Sequence, residues 1–399
     1  MLGNKAIVLG VTGGIAAYKA AEIASQLIQV GAKVNVVMTE EATQFVTPIT
    51  FRALTGGPVV TEMFDLTSEF SIEHVALAKA ADIVVIAPAT ANIIAKLAAG
   101  IADDMLCCTV LATRAPVLIA PAMESNMYSN PITQDNLAKL KARGFTIVGP
   151  ATGRLASGAE GLGRLADISD IMGSICQLLG SGGDFAGKHV LVTAGGTQEP
   201  IDPVRYIGNR SSGKMGYALA EAARDRGAKV TLVTVPGTLP EPVGIAVVKV
   251  NTAEEMYYAV QNLAAQADAL IMAAAVADYR PKSVAKEKIK KGELELTLEL
   301  ERTRDILGSV KGDFIRVGFA AESSDLLGNA RHKLQQKKLD LVVANDITAS
   351  ASGFGADLNQ VTMVDRDGKI DSLPLRPKRE VAERILDRVT ELLARSSTK

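Results

Sequence analysis

The sequence has little net charge, few cysteines and no long uninterrupted apolar run. Its 43 lysine and arginine residues nearly balance 44 acidic residues, which disfavours a broad nucleic-acid-binding or anionic-membrane-binding surface. Three cysteines lack disulfide spacing, and the adjacent pair Cys107-Cys108 favours a reducing compartment. The most apolar stretch, residues 83–102, contains a proline, an asparagine and a lysine, and the N-terminus lacks a leader pattern. We therefore expect a soluble cytoplasmic protein.

The chain is long enough for more than one hydrophobic core. Its 399 residues, 48% of them hydrophobic, predict two or three domains. Residues 6–11 predict a strand, Thr12-Gly13-Gly14 a turn, residues 15–30 a helix and residues 33–38 a second strand. This succession is the βαβ unit of a parallel sheet that carries helices on both faces.

The same plan recurs later in the chain. VGAKVNVV at residues 30–37 matches RGAKVTLV at residues 226–233. Residues 81–90 match residues 267–276, since each segment runs from an alanine-aspartate pair into small residues. Because ligands of open parallel sheets bind at the carboxyl ends of the strands, two copies imply two sites.

A short glycine-rich linker separates the two copies. Residues 178–184 read LLGSGGD, a composition typical of flexible connections. We predict an α/β protein with two Rossmann-like, doubly wound parallel-sheet domains in tandem, residues 1–187 and residues 188–399.

The glycine turn after the first strand favours a mononucleotide. Gly10-Val-Thr-Gly13-Gly14 is not the dinucleotide fingerprint G-x-G-x-x-G, and the second strand ends in Met38-Thr39, where an acidic residue would hold an adenosine ribose. A threonine hydroxyl suits a phosphate instead. We expect FMN rather than NAD, and the remaining alternative is a turn that serves only packing.

Three loops at predicted strand ends and one histidine complete this half. The third of these loops, Gly153–Leu165, combines four glycines with two arginines, as is typical of a flap over an anionic ligand. His74, the only histidine of the half, is either a structural residue or a catalytic base. The loops are Pro88–Asn92, Pro121–Tyr128 and Gly153–Leu165.

The second half begins with a phosphate-site pattern. Residues 190–193 predict a buried strand that ends in a glycine turn, and a second glycine-rich loop begins a helix at Gly213. Backbone N–H groups at that helix start, with Lys214 beside them, predict a phosphate site. GNRSSGKM at residues 208–215 nearly matches the phosphate loop G-x-x-x-x-G-K-[ST], but Met215 replaces the magnesium-binding hydroxyl. A glycine turn for packing alone is the alternative.

Longer motifs in both halves resemble known enzyme families. TGGIAAYK (12–19), His74, APATAN (87–92), PAMESNMY (121–128) and GRLASG (153–158) resemble flavin-dependent phosphopantothenoylcysteine decarboxylases. AGGTQEPIDPVRYIGNRSSGKMG (194–216), AAAVADYRP (273–281), EKIKK (287–291) and VGFAAES (317–323) resemble phosphopantothenate-cysteine ligases. Their order over essentially the whole chain is similar to that of the bifunctional enzymes of coenzyme A biosynthesis.

The resemblance implies that residues 188–399 join 4'-phosphopantothenate to cysteine through an acyl-cytidylate made from CTP. Attaching CMP gives the carboxylate a leaving group, which the cysteine amine then displaces. Asn209 and Lys288 are the implied catalytic residues, and Mg²⁺ is expected through the phosphates rather than in a protein cage. Without the resemblance, Lys333 and Lys337 would predict a solvated basic helix face. The implied CTP contacts are Ala273, Ala274, Ala275, Asp278, Lys288, Thr303, Arg304, Asp305, Ile306, Phe319, Lys333 and Lys337.

The resemblance also implies that residues 1–187 are an FMN-dependent decarboxylase that forms 4'-phosphopantetheine. Oxidation of the cysteine end to a thioaldehyde lets CO₂ leave, and the enethiol that results is then reduced. His74 is implied to assist the oxidation and the decarboxylation, while Asn92 and the loop of Met123 and Glu124 hold the substrate carboxylate. The implied FMN contacts are Thr12, Gly13, Gly14, Ile15, Thr39, Ala89 and Thr90.

Two positions depart from the family pattern. Glu124 stands where many members have asparagine, and its negative charge would disfavour a substrate carboxylate unless Glu124 is protonated or turned away. Ser157 is the implied catalytic residue of the flap, where the best-studied pattern has a cysteine acid. An alcohol is a far weaker acid than a thiol of pKa about 8.5, so another group or water then supplies the final proton.

Two alternative functions stay open at this point. One is a ligase whose flavoprotein half is impaired or regulatory, and the other is a kinase-like NTP-dependent enzyme. The expected partners are CTP, cysteine and 4'-phosphopantothenate, with no nucleic acid and no membrane, and the resemblance implies a homo-oligomer.

Overall fold

The computed structural model describes residues 2–63, 73–290, 296–322, 325–346 and 355–396. Lys291 and Ser323, which end two of the sequence motifs, lie outside the described residues. The chain divides into two compact units, Met1–Leu179 and Gly180–Lys399. The boundary predicted after residue 187 stays a prediction. Each unit is built on a largely parallel sheet, which confirms the predicted fold class.

In the described part of the N-terminal unit, six parallel strands have the order β3-β2-β1-β4-β5-β6. The predicted first and second strands have the predicted bounds, but the helix between them begins at Ala17 rather than at residue 15. A separate hairpin, β7–β8, follows the sheet. The strands are β1 (Ala6–Val11), β2 (Lys33–Met38), β3 (Val59–Val60), β4 (Ile83–Ala89), β5 (Val117–Pro121), β6 (Thr146–Ile147), β7 (Ala151–Arg154) and β8 (Glu160–Arg164).

Helices cover both faces of this sheet because apolar residues occupy both sides of each buried strand. Along β1, Ile7 and Leu9 pack into one core with the helix at Ala17–Gln29, whereas Val8 packs into the core on the opposite face. The helices are α1 (Ala17–Gln29), α2 (Pro48–Thr55), α3 (Glu73–Ala80), α4 (Ala91–Ala99), α5 (Met105–Ala112), α6 (Ser125–Ser129), α7 (Pro131–Ala142) and α8 (Ile168–Gly180), with a 3-10 helix at Glu40–Gln44.

The C-terminal unit repeats the strand order and extends it. Its main sheet, within the described residues, runs β13-β12-β9-β14-β17-β18-β19-β20, and the first six strands are parallel. The last two strands are antiparallel to their neighbours, and the turn at Asp367-Gly368 joins them. The strands are β9 (His189–Ala194), β10 (Gln198–Pro200), β11 (Tyr206–Gly208), β12 (Lys229–Thr234), β13 (Ala246–Lys249), β14 (Ala269–Met272), β15 (Tyr279–Pro281), β16 (Leu300–Arg302), β17 (Ile315–Glu322), β18 (Leu341–Asp346), β19 (Leu358–Asp365) and β20 (Ile370–Pro377).

Two hydrophobic cores, one on each face, hold the helices against this second sheet. Val190 and Val192 of β9 face the core that contains the C-terminal helix, and Leu191 faces the other core. The helices are α9 (Lys214–Arg224), α10 (Ala253–Ala264), α11 (Ile306–Ser309), α12 (Leu326–Gln336) and α13 (Lys378–Ser396). No helix of the described residues is long and apolar enough to cross a membrane.

The repeat extends to single hydrogen bonds. The Asp82 carboxylate accepts from Ala6 N at 2.8 Å and pairs with Lys5 at 3.0 Å. In the second unit, Asp268 accepts from His189 N at 2.8 Å and pairs with Lys188 at 3.2 Å. The acidic start of each repeated segment therefore connects the first strand of its sheet to the neighbouring strand, and the backbone N–H bond lowers the pKa of Asp82.

Candidate functional sites

A cavity of about 820 Å³ lies at the carboxyl ends of the strands in the N-terminal unit. The loops after β1, β2, β4 and β5 line it, together with residues 154–157, 163 and 164 of the hairpin β7–β8. We call residues 154–164 of this hairpin the flap. The order of the parallel strands reverses between β1 and β4, because β2 and β3 lie on one side of β1 and β4 to β6 on the other, and this is where open α/β sheets bind ligands. Of the predicted site residues, it is lined by Thr12, Gly13, Gly14, Ile15, Thr39, Thr90, Asn92, Met123, Glu124 and Ser157.

Thr12 connects the two loops that form the floor of this N-terminal cavity. Its side chain is buried, and its hydroxyl donates to Pro88 O at 2.8 Å while it accepts from Thr90 N at 3.1 Å. Both hydrogen-bonding directions of the hydroxyl are therefore used within the protein. Thr12 therefore shapes the cavity through its hydroxyl. Its backbone groups, rather than the hydroxyl, are available to contact a ligand.

Gly13 and Thr39 give the same end of the cavity the character of an anion site. A Cβ at Gly13 would lie 2.3 Å from Glu41 Cβ, so only glycine lets the turn approach the loop after β2. Thr39 is buried, and its Oγ1 has no hydrogen-bond partner among the described residues. A buried hydroxyl without a partner costs stability, which indicates that a ligand oxygen completes this site.

The flap packs directly on the loop that carries Met123 and Glu124. Met123 N donates to Gly163 O at 3.0 Å, and a Cβ at Gly163 would lie 2.1 Å from Met123 O. Arg164 lines the cavity, and it pairs with Asp167 at 2.6 Å. Its Nε is buried without a hydrogen-bond partner among the described residues. The flap therefore presents an unsatisfied donor at a cavity predicted to hold anions.

Glu124 is half-buried at the carboxyl end of β5. Its Oε2 accepts a hydrogen bond from Asn126 N at 2.6 Å, which caps the short helix α6. This hydrogen bond uses one carboxylate oxygen and gives the residue at this position a local structural role. The side chain nevertheless lines the cavity.

Two predicted residues of this half lie outside the cavity lining. Ala89 is buried in β4, and its carbonyl accepts from Ala122 N at 3.0 Å, so it joins β4 to the loop after β5. His74 is half-buried in the first turn of α3 and does not line the cavity formed by the described residues. Residues 64–72, directly before it, are outside the described part of the chain, and its role stays a prediction.

The adjacent cysteines are held in a structural cluster. Cys107 is buried next to Asp104, which also accepts from Lys96 at 3.0 Å. Burial raises the pKa of the Cys107 thiol, and burial also raises that of Cys108. Neither thiol is activated for proton transfer at neutral pH.

A second cavity, of about 850 Å³, lies at the equivalent edge of the C-terminal unit. It extends from the start of α9, across the loop after β14, to β17 and α12. Every predicted residue of this half except Lys288 lines it: Asn209, Ala273, Ala274, Ala275, Asp278, Thr303, Arg304, Asp305, Ile306, Phe319, Lys333 and Lys337.

Threonine hydroxyls position the alanine loop of the C-terminal cavity. Ala274 N donates to Thr193 Oγ1 at 3.1 Å, and Ala277 N donates to Thr197 Oγ1 at 2.9 Å. Thr193 is the penultimate residue of β9, and Thr12 directly follows β1, so both units connect the first strand to the loop after its neighbour through a threonine. Asn209 Nδ2 donates to Val276 O at 3.0 Å and brings the glycine-rich loop to the same edge.

Several cations lie on one side of this C-terminal cavity. Lys333 Nζ donates to Phe319 O at 2.6 Å, and Lys337 pairs with Asp305 at 3.0 Å. The Arg304 guanidinium lies 5.1 Å from the centre of the Tyr257 ring, an arrangement that fixes its position. Lys333 lies in α12 and Lys337 at its end, so the helix brings both residues to the cavity lining.

The near-match to a phosphate loop has a different local structure from the one its sequence suggests. Lys214 Nζ pairs with Asp357 at 2.6 Å and donates to Gly355 O at 3.2 Å. Met215 packs against the hydrophobic core. Residues of this loop, Lys214 among them, still line the cavity, and the Lys214 ammonium is already engaged by Asp357 and the Gly355 carbonyl.

Lys288 is exposed and does not line the cavity formed by the described residues. Its neighbour Ile289 is held through the backbone, because Ile289 N donates to Asp202 at 3.2 Å and Ile289 O accepts from Arg205 at 2.9 Å. The Arg205 hydrogen bond lowers the pKa of Asp202. This contact keeps the start of the segment near the β10–β11 hairpin.

The cavity lining also contains residues that sequence reasoning did not single out as ligand contacts. Lys378 begins α13 and is buried, and burial followed by the charge of Lys214 lowers its pKa. No local motif marks these positions, because the topology of the sheet brings them from distant parts of the chain. They are Asn345, Asn359 and Lys378.

Comparison with known proteins agrees with the division of the chain into two units. Residues 1–180 match the Flavoprotein family model, and residues 185–393 match the DNA/pantothenate metabolism flavoprotein C-terminal domain. The coenzyme A biosynthesis bifunctional protein CoaBC of Vibrio parahaemolyticus is 45% identical over 399 residues, covering 98% of this chain and 99% of the relative. The chain belongs to the CoaBC family.

Other CoaBC proteins match as completely. The Bacillus subtilis protein is 46% identical over 398 residues, covering 98% of each chain, and that of Mycobacterium tuberculosis H37Rv is 45% identical over 414 residues, covering 99% of this chain and 98% of the relative. Membership makes the chain a bifunctional enzyme of coenzyme A biosynthesis with a ligase and a flavoprotein decarboxylase activity. This family assignment replaces the kinase-like and ligase-only alternatives.

Proposed function

We propose that residues 188–399 ligate 4'-phosphopantothenate to cysteine with CTP, and that residues 1–187 decarboxylate the resulting 4'-phosphopantothenoylcysteine with bound FMN. The observation that carries the proposal is the pair of cavities at equivalent sheet edges. One has a buried threonine hydroxyl without a partner among the described residues, and the other collects lysine and arginine side chains around an alanine loop.

The N-terminal cavity fits FMN at its Thr39 end. The unpartnered hydroxyl and the glycine turn at Gly13-Gly14 suit the flavin phosphate, and the loop at Thr90 and the side chain of Ile15 border the rest of the site. Thr12 and Ala89 act through the backbone hydrogen bonds that hold these loops. When bound, FMN supplies a two-electron oxidant at the start of the reaction and returns the same electrons at the end.

Residues of the chain bind and orient the decarboxylase substrate. Asn92 lies in the first turn of α4 and lines the cavity, which supports a role for its amide in holding the substrate carboxylate with the loop of Met123. Ser157 contacts the substrate from the flap, and the flap excludes water from the reacting carbon. We keep His74 as the residue that assists the oxidation, as the family resemblance implies.

The C-terminal cavity suits a cytidine nucleotide bound along the sheet edge. Small side chains at Ala273, Ala274 and Ala275 leave room for a base to approach the backbone, next to Asp278. The guanidinium and ammonium groups stabilise the triphosphate and the charge that develops on pyrophosphate. Asn209 contacts the acyl-cytidylate. The remaining residues proposed to contact CTP are Thr303, Arg304, Asp305, Ile306, Phe319, Lys333 and Lys337.

Lys288 and Mg²⁺ complete the proposed ligase site. The segment anchored at Asp202 carries Lys288, and the ligase reaction requires it to reach the nucleotide phosphates. We propose that Mg²⁺ binds through the phosphates of CTP, since such ions keep several waters and few protein ligands. We also propose a cytoplasmic homo-oligomer, which gel filtration with light scattering and cell fractionation test.

Two measurements test the proposal directly. Purified protein should retain FMN with an oxidised flavin spectrum, and protein that takes up no added FMN contradicts the decarboxylase assignment. CTP with 4'-phosphopantothenate should release pyrophosphate before cysteine is added. Pyrophosphate release from ATP alone contradicts the proposed cytidylate.

A further inference from the structure

The N-terminal cavity must deliver one proton to a carbon atom. When an N-acylcysteine loses CO₂, the electron pair of the broken C–C bond stays on Cα, and a C–H bond must replace it. The carbon is protonated inside a cavity that the flap covers, so an acid that lines the cavity is the natural source. A serine hydroxyl is too weak an acid to supply this proton unaided.

Three carboxyl groups among the described residues line this cavity. Asp104 is used structurally, because its oxygens accept from Cys107 N at 2.7 Å and from Lys96 at 3.0 Å. Glu41 is exposed in the 3-10 helix, and its Cβ packs on Gly13 at the end proposed for the flavin phosphate. The third is Glu124, half-buried beside the flap.

From this arrangement we propose that Glu124 is the acid that protonates Cα after decarboxylation. The inference rests on the proposed decarboxylase function of the N-terminal unit. It also gives a chemical role to a residue that would otherwise repel the substrate, because a protonated Glu124 can lie beside a carboxylate without electrostatic cost.

The charge of the substrate controls the protonation state of Glu124. In the free protein, Glu124 Oε2 accepts the hydrogen bond from Asn126 N. Binding of a substrate carboxylate in the same cavity favours the neutral acid, since two like charges raise proton affinity. Solvent supplies this proton as the substrate binds, and the loss of CO₂ then removes the charge that held it.

The protons and electrons of the proposed decarboxylation balance. Bound FMN would supply the two-electron oxidant that accepts the hydride from the Cβ–H bond, and the thiol proton would leave to water, which yields the thioaldehyde. The C–C bond to the carboxylate breaks, and its electron pair makes the enethiolate. The O–H bond of Glu124 breaks as the new Cα–H bond forms and regenerates a thioaldehyde. The stored hydride returns to Cβ, and water protonates the sulfur.

Glu124→Gln tests the assignment in single turnovers of the full-length holoenzyme with the N-acylcysteine substrate. Glutamine keeps the size and an oxygen to cap α6, but it has no proton to transfer. We expect CO₂ release within about threefold of wild type and formation of the saturated thiol about 100-fold slower. The enethiol, which lacks two hydrogens, should accumulate, and the flavin should remain reduced.

Glu160→Gln is the matched control, because Glu160 is an exposed flap residue outside the cavity lining and undergoes the same chemical change. It should give the saturated product. The double variant E124Q/S157C should regain that product, since a thiol restores an acid to the cavity. If E124Q does not retain FMN, Glu124→Asn takes its place. The ratio of enethiol to saturated thiol is then measured in the same way.

Two results overturn the proposal. One is saturated product from E124Q at the wild-type rate. The other is enethiol accumulation in S157A but not in E124Q, which assigns the proton to Ser157. Wild-type protein that releases no CO₂ contradicts the proposed function itself, so the two failures are distinguishable.

Discussion

At the scale of single residues, we expect the Thr39 hydroxyl to contribute to FMN binding but not to the stability of the fold. Because its Oγ1 is buried without a partner among the described residues, replacing it with a methyl group removes no hydrogen bond from the free protein. We expect Thr39→Val to leave stability within about 0.5 kcal/mol and to weaken FMN binding about tenfold, the loss of one hydrogen bond to a charged group. Flavin fluorescence titration and urea unfolding measure the two effects, and unchanged FMN affinity contradicts the proposed phosphate contact.

For Thr12 we expect the opposite outcome, in which a substitution lowers the stability of the protein. Thr12→Val leaves Pro88 O and Thr90 N without their partner, so we expect a loss of about 1–3 kcal/mol in stability of the N-terminal unit together with weaker flavin retention. Thr193→Val is the matched variant of the other unit, where it frees Ala274 N. It should lower CTP-dependent pyrophosphate release and spare flavin binding. Equal flavin loss in both variants would refute the separate roles.

At the scale of elements, the strands were more predictable than the contacts between them. The bounds of β1 and β2 follow from β-branched runs that end in glycine or threonine. The flap was predicted as a loop but is a hairpin, because its glycines hide the alternation that marks strands. The ion pair of Lys214 with Asp357 joins residues far apart in the chain, and no local pattern indicates it.

For the candidate sites, too, the sequence indicated the loops better than the contacts between side chains. Motifs marked the loops at both sheet edges, and most of the residues they implied line the cavities. Lys378 was missed because a lysine at a helix start carries no signal of burial. The structural role of Thr12 was also missed, since its partner loop follows another strand.

The close approach of α9 to β9 gives a prediction at this scale. A Cβ at Gly216 would lie 2.5 Å from Ala194 Cβ and 2.8 Å from Thr193 O. On an open helix, glycine to alanine stabilises by about 0.5–1 kcal/mol, whereas here we expect Gly216→Ala to destabilise by about 1–3 kcal/mol. Hydrogen exchange of peptides from β9 and α9 measures the loss. Gly182→Ala, with no atom within 4 Å of its added Cβ, should show none.

At the scale of the whole molecule, two compact units with one cavity each predict two activities that can be lost separately. Lys288→Gln should slow CTP-dependent pyrophosphate release about 100-fold, because a phosphate charge loses its counter-ion, and should leave CO₂ release unchanged. Lys290→Gln removes the same charge from a neighbouring exposed position and should spare both activities.

Gly13→Ala provides the reciprocal change, since its Cβ would lie 2.3 Å from Glu41 Cβ in the flavin cavity. It should abolish flavin retention and CO₂ release while ligation proceeds. Because the two substitutions affect different units, the double variant should show the sum of the single effects in free-energy terms. Loss of both activities in either folded single variant, judged by circular dichroism and gel filtration, would mean that the two sites depend on each other.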